Sequence, residues 1–401
     1  MGVQKKAKLP VPKILRIPEV LDLILQTVST QSCPDSHLKT TPSSLDVIST
    51  RPHNYFAMSE GSSTALYSPN REDPDMSQDN DLSASDEDSA YGGELPDTTV
   101  LAPEEVFEFE TIYNREYHVY FQNGKYPYPS DDREKERQTD FHRHIKAYLA
   151  GEGPYGDHGL FSAPFNTRNG ANILDIATGT GKWAIDMGDK FPEATITGID
   201  LSPIQLEYVP LNVNFVIDDV ELSWDDPARY DYVHCRHVGG CMQNFSLLIK
   251  RIYEHLKSEG WVEFHELSME FMSTDNNKAG VGEELSELIR ILNDACSKMG
   301  RILYPMQDLE SRLSEAGFKQ IQRRDFWLPV GDWPDNERDR NIGLAVKDYL
   351  WEGLEAITAV PLRGHLQLSK EETELLCAGA RKDLIDKLLV RYECVIAQKG
   401  T

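Results

Sequence analysis

Three sets of carboxylates recur in this chain, each at the end of a short apolar run. Asp175 ends the apolar run "NILD", Asp200 ends "ATITGID", and the pair Asp218 and Asp219 follows "NVNFVI". Between the first two lies Gly179-Thr180-Gly181, a short turn ahead of "KWAIDMGDKF". Glycines there let the backbone turn tightly and let a ligand approach without a Cβ in the way. An acid about twenty residues beyond such a turn is placed to accept hydrogen bonds from a ribose diol. The third pair falls where an adenine edge would lie.

Three nucleotide-binding chemistries compete for this pattern. A phosphate-cradling P-loop needs glycine five residues before its Gly-Lys pair, but Ile176 stands there, and Trp183 replaces the magnesium-holding Ser or Thr. A dinucleotide site is matched loosely by Gly179, Gly181 and Ala184, yet Asp175 puts an acid where the pyrophosphate would sit. Like charges in a partly dry cleft repel. A phosphate-free ligand with a cationic amino end reverses that sign, and S-adenosylmethionine has this chemistry. The residues expected at the cofactor are Asp175, Ala177, Gly179, Thr180, Gly181, Asp200, Leu201, Asp218 and Asp219.

The order of "YPYPSDDREKERQTDFHRH", "ILDIATGTGKWAIDMGDKFP", "GIDLSPIQ", "NVNFVIDDVELSW", "YDYVHCRHVGG", "GWVEFHEL" and "DWPDNERDRNIG" resembles that of the fungal LaeA-like class I methyltransferases. The resemblance spans about 105 to 400. It implies S-adenosylmethionine-dependent methyl transfer linked to fungal secondary metabolism. It also leaves open a nuclear regulator or scaffold that acts through protein partners with weak or no methyl transfer. The family's cofactor contacts carry onto Asp175, Gly179, Gly181, Asp200 and Asp219. Three departures stand out: Ala177 replaces the first glycine of the motif, "LKSEGW" stands for Lys-Pro-Gly-Gly, and "QNF" at 243–245 replaces Asp-Trp.

Methyl transfer is an in-line displacement that needs a general base only when the acceptor must lose a proton. His234, His237, His265 and Glu266 lie near the carboxyl ends of the fourth and fifth expected strands, where open α/β sheets bind ligands. His234, His237 and Glu266 are carried forward as catalytic candidates. Arg236 suits either a methionine carboxylate or a surface acid. Tyr126 and Tyr128 suit an aromatic lid, and Trp327 and Trp333 an acceptor pocket. Packing is the simpler role for all four aromatic residues. No residue pattern points to a metal.

These groups need a frame. Short apolar runs alternate with helical patterns from Ala171 onward, which implies a mostly parallel sheet covered on both faces. The expected fold is a Rossmann-like seven-stranded α/β sheet with a disordered acidic extension ahead of it. A helix from about Asp132, with Phe141, Ile145 and Leu149 four residues apart, precedes the sheet. The chain divides into residues 1–32 (extension with a helix near 14–28), 33–104 (acidic Ser/Asp-rich linker) and 105–400 (catalytic domain). The last comprises a helical cap over 105–165, a cofactor core over 166–270, and further helices and strands over 271–400.

Of the formal charge of −25, about half falls between residues 71 and 110, with fourteen acids and one arginine. So acidic a chain repels nucleic-acid phosphate, and direct nucleic-acid or membrane binding is not expected. The expected partners are a small-molecule or protein methyl acceptor and a regulatory protein met through the extension. Six cysteines without a C-x-x-C pair read as reduced thiols of an intracellular protein, nuclear or cytoplasmic.

Overall fold

The computed structural model describes residues 56–58, 108–118, 126–167, 170–206, 208–222, 224, 227–274, 282–385 and 387–401. The helix expected near 14–28 lies outside the described residues. So does the linker expected over 33–104, apart from the strand β1 (Phe56–Met58).

A hairpin, β2 (Phe109–Ile112) against β3 (Arg115–His118), opens the region expected as a helical cap. Helix α1 (Asp132–Leu149) follows, and the Asp131 side chain caps it by accepting from the Glu134 N–H. The same carboxylate meets the Arg115 guanidinium at 2.5 and 2.8 Å, tying hairpin to helix. Phe141, Ile145 and Leu149 are buried, as their spacing predicts.

The sheet then builds outward in two directions. Strands β4 (Asn172–Ile176), β5 (Thr195–Asp200) and β6 (Val213–Ile217) run parallel one way from the centre. Strands β7 (Tyr230–Arg236) and β8 (Leu256–Ser273) continue parallel on the other side of β4. The last strand, β10 (Leu388–Lys399), inserts antiparallel between β8 and β9 (Phe318–Val330). These seven strands are those expected, and β1 adds an eighth at the free edge of β6. The order reverses at β4, so the helices leave a crevice at the carboxyl ends of β4 and its neighbours.

Helices α2 (Lys182–Lys190) and α3 (Phe245–His255) cover the sheet. Leu248, Ile249 and Ile252 of α3 are fully buried against β7 and β8 residues such as Val233 and Phe264. Each such side chain stabilises the fold by about 1.5–3 kcal/mol. Helices α4 (Glu283–Lys298), α5 (Leu309–Glu315), α6 (Glu337–Thr358) and α7 (Lys370–Asp383) complete the domain. A Ser369–Glu372 capping box starts α7.

Candidate functional site

The crevice holds a cavity of about 520 Å³, enclosed by strand ends on one side and by α1, α4 and α6 on the other. Ala177, Gly179, Thr180, Asp200, Leu201, Asp218 and Asp219 all line it. Asp200 is set between backbone donors: it accepts from Gly179 N–H at 2.8 Å and Ser202 N–H at 3.0 Å. Burial still pushes its carboxyl up to about 6. Asp218 accepts from the Asp219 N–H at 2.8 Å, and Asp219 from the Glu221 N–H at 3.0 Å, which fixes both at the end of β6.

Two expected contacts are not on the wall. Asp175 is 2% exposed, with one oxygen 2.7 Å from His234 Nδ1 and the other accepting from the Thr178 hydroxyl at 2.5 Å. Burial pushes this carboxyl up to about 7 and holds His234 well below its usual value, so the pair shares one proton behind the turn. Asp175 therefore shapes the turn rather than presenting a charge to the cavity. Gly181 (φ 76°) packs downward instead: a Cβ there would lie 2.2 Å from Phe215 Cζ. Gly179 also has positive φ (58°), and its Cβ would meet Gln138 of α1 at 2.6 Å. Ala177 holds the same left-handed region at φ 54°, a conformation that the glycine it replaces would adopt without strain.

His234 is no base candidate by position. It is buried, stacks on Trp183 at 3.9 Å, and does not line the cavity. His265 is tied to Glu263 (2.8 Å) and Tyr392 (3.0 Å). His237 and Glu266 do line the cavity. His237 has φ 56° and meets the Tyr349 hydroxyl through Nδ1 at 3.2 Å, while its Nε2 is closed off from space without a partner. Glu266 accepts the Gly239 N–H on Oε2 at 3.0 Å, and burial pushes its carboxyl up to about 8.

Tyr126 and Tyr128 line the cavity, and the Tyr128 hydroxyl donates to the Gly239 carbonyl at 2.9 Å. Trp327 and Trp333 do not line it, contrary to expectation; Trp327 lies on outer strand β9 and is 37% exposed. Arg236 faces the cavity and donates to His142 Nδ1 at 2.9 Å, not to a surface acid. Burial lowers His142 to about 4, so it is neutral and its Nε2 carries the proton shared with Asp186 at 3.1 Å. Asp186 also binds Lys146 and Lys182, joining α1 to α2.

Reasoning from strand ends missed the rest of the wall. Glu134, Gln138 and Phe141 of α1, Leu288 and Ile289 of α4, and Tyr349, Leu354 and Ile357 of α6 all face the cavity. Apolar periodicity marks these helices as amphipathic but does not say which part of the apolar face stays open to a ligand. Seven Asp or Glu and three Lys or Arg line the cavity. That balance fits a cationic, phosphate-free ligand and opposes a diphosphate.

Among the described residues one cluster has metal-ligand types, Glu263, His265 and Cys394. The Glu263 carboxylate there already accepts from the Ser162 and Ala163 N–H groups (3.0 Å each) and the Tyr232 hydroxyl (3.1 Å). Against the desolvation of burial, His265 and then the Ala163 and Ser162 N–H groups hold it down to about 2, and those N–H bonds fasten the loop around Ser162 to the sheet. Among the described residues no helix is long and apolar enough to cross a membrane.

A doubly wound sheet with acids at its strand ends and a closed cavity defines a methyltransferase domain, and the family of that description matches residues 141–323. The chain is 35% identical over 340 residues to methyltransferase pytC of Aspergillus terreus, covering 84% of this chain and 98% of that protein. It is 32% identical over 279 residues to the secondary metabolism regulator LAE1 of Cochliobolus heterostrophus, covering 68% and 88%. To the protein-methionine methyltransferase laeA of Emericella nidulans it is 27% identical over 288 residues, covering 71% and 74%. The chain belongs to the fungal LaeA-like methyltransferase family.

Proposed function

We propose that the chain binds S-adenosylmethionine at the strand-end side of the cavity and acts as a methyltransferase in fungal secondary metabolism, inside the cell. Asp200 accepts the ribose hydroxyls, and its position between two backbone donors on the cavity wall is the observation that carries this reading. Asp218, Asp219 and Leu201 border the adenine. Ala177, Gly179 and Thr180 offer backbone at the methionine end, where Arg236 suits the carboxylate. Asp175 and Gly181 hold the turn in shape from behind. When bound, the sulfonium supplies an already activated methyl group. The chain's own contribution is then alignment and exclusion of water, through α1 and the tyrosines that close the cavity.

Calorimetric titration with S-adenosylhomocysteine tests this. Wild type is expected to bind in the micromolar range and Asp200→Ala about a hundredfold more weakly, the cost of a lost charge-assisted pair of about 3 kcal/mol. Equal heats for both proteins overturn the assignment. The relatives named as regulators favour a second role, docking of a protein partner through residues 1–104. Deleting that segment separates the two: lost biological effect with intact cofactor binding supports the regulator.

A further inference from the structure

The cavity has a second end, and its chemistry differs from the first. Phe141, Leu288, Ile289, Leu354 and Ile357 make it apolar. Of the three cations that line the cavity, Arg137 pairs with Glu134 and Lys182 with Asp186, and Arg236 is the one assigned above to the methionine carboxylate. On that reading none is left to receive an acidic acceptor. Two carboxyl groups face this space from adjacent strands, Glu266 on β8 and its cross-strand partner Glu393 on β10. Glu393 is neutralised by Arg323 at 2.6 Å. The Glu266 carboxyl is different. Backbone N–H groups hold it on the cavity wall, among them Gly239 N–H, which meets Oε2 at 3.0 Å. A buried carboxyl held by the backbone on an apolar wall is positioned to exchange a proton with a ligand there.

We propose that Glu266 is the general base of methyl transfer and that the acceptor is an apolar, neutral molecule bearing an ionisable hydroxyl, a phenol or an enol. This rests on the cofactor reading above. The acceptor oxygen forms its bond to the methyl carbon as the carbon–sulfur bond breaks, and that bonding pair leaves with sulfur. The hydroxyl proton passes to the ionised Glu266 carboxylate and then to solvent. The carboxyl's rise to about 8 brings it closer to the roughly 10 of a phenol, which lowers the uphill cost of that transfer. An ammonium fits less well, because Glu266 is protonated at neutral pH and Glu393 is already paired. A thioether needs no base at all.

The groups facing Glu266 keep the assignment clean. They are Glu393 and Tyr392 of β10, Tyr349 of α6, Cys235 of β7, and Tyr128 and Cys241 from loops. Burial pushes the three phenols and both thiols upward, so they stay neutral where Glu266 titrates. Arg301 donates to the Cys241 carbonyl beside them.

The test uses three probes with one ring system, naphthol, naphthylmethylamine and naphthoate, titrated by fluorescence into full-length protein saturated with S-adenosylhomocysteine. Naphthol is expected to bind at least tenfold tighter than either charged analogue. Transfer from S-adenosylmethionine to naphthol should rise about tenfold per pH unit up to about 8 and then level. Glu266→Gln should lose at least a hundredfold in that rate and the inflection, with S-adenosylhomocysteine affinity within twofold; Glu266→Asp should recover part of the rate. Tighter binding of the amine, no binding of any probe, or a Gln variant with the wild-type profile overturns the proposal. Wild type that fails to bind S-adenosylhomocysteine, measured before any probe is added, overturns the cofactor reading and this proposal with it.

Discussion

The two ends of the cavity are built by different means. At the end proposed for the cofactor, consecutive strands β4 to β6 deliver Ala177, Gly179, Asp200 and Asp219 from one stretch of about forty residues, each held by backbone N–H groups or the turn itself. At the acceptor end, α1, α4, α6, β8 and β10 meet from across some 250 residues and contribute side-chain surface. The first is local geometry that hydrogen bonds specify. The second is a volume left over by packing, which substitution reshapes without touching the turn. Cofactor binding and acceptor choice are therefore separable by mutation.

The sharpest separation is the converse of Asp200→Ala. Ile289 of α4 is partly buried and lines the cavity from a helix that carries none of the residues proposed at the cofactor, so Ile289→Lys places a cation there that must be desolvated. Naphthol affinity should fall about thirtyfold by fluorescence titration while the S-adenosylhomocysteine Kd stays within about twofold. A parallel loss of both ligands would break the comparison.

Acidification should weaken ligand binding at the other end alone. Asp200 sits at about 6, and as pH falls through that value the carboxylate gains a proton and loses acceptor strength. S-adenosylhomocysteine binding is then expected to weaken about tenfold from pH 7 to pH 5 in calorimetry, because a proton competes with the ribose. Glu266, at about 8, is protonated across that whole window and adds nothing to the slope. The same raised carboxyl makes a stability contribution of opposite sense: the folded state holds the proton more tightly, so this term favours folding as pH falls from 7 to 5. Weaker binding there is thus not unfolding driven by Asp200.

The smallest effect is expected at Ala177. Its left-handed backbone costs roughly 1 kcal/mol, partly offset in a glycine variant by the freer unfolded chain. Ala177→Gly should raise Tm by about 2 °C in thermal denaturation with cofactor affinity unchanged. A drop in Tm would mean that the methyl group packs usefully against its neighbours.

The sequence alone was enough for the sheet and for several residues of the cavity wall. Alternating apolar runs and helices determine a parallel sheet because each face must be buried, and a glycine turn followed by an acid one strand later is a local pattern. Asp200, Asp218, Asp219 and Gly179 stand where that pattern predicts. What only the tertiary structure decided is which polar groups face outward and which are used up. Asp175 and His234 satisfy one another behind the turn, a pairing between β4 and the neighbouring strand β7 that linear spacing does not reveal. The acceptor end was illegible for the same reason. Its wall is made of surfaces that helices distant in the chain leave uncovered, and whether such a surface closes on core or on a cavity depends on how those helices pack.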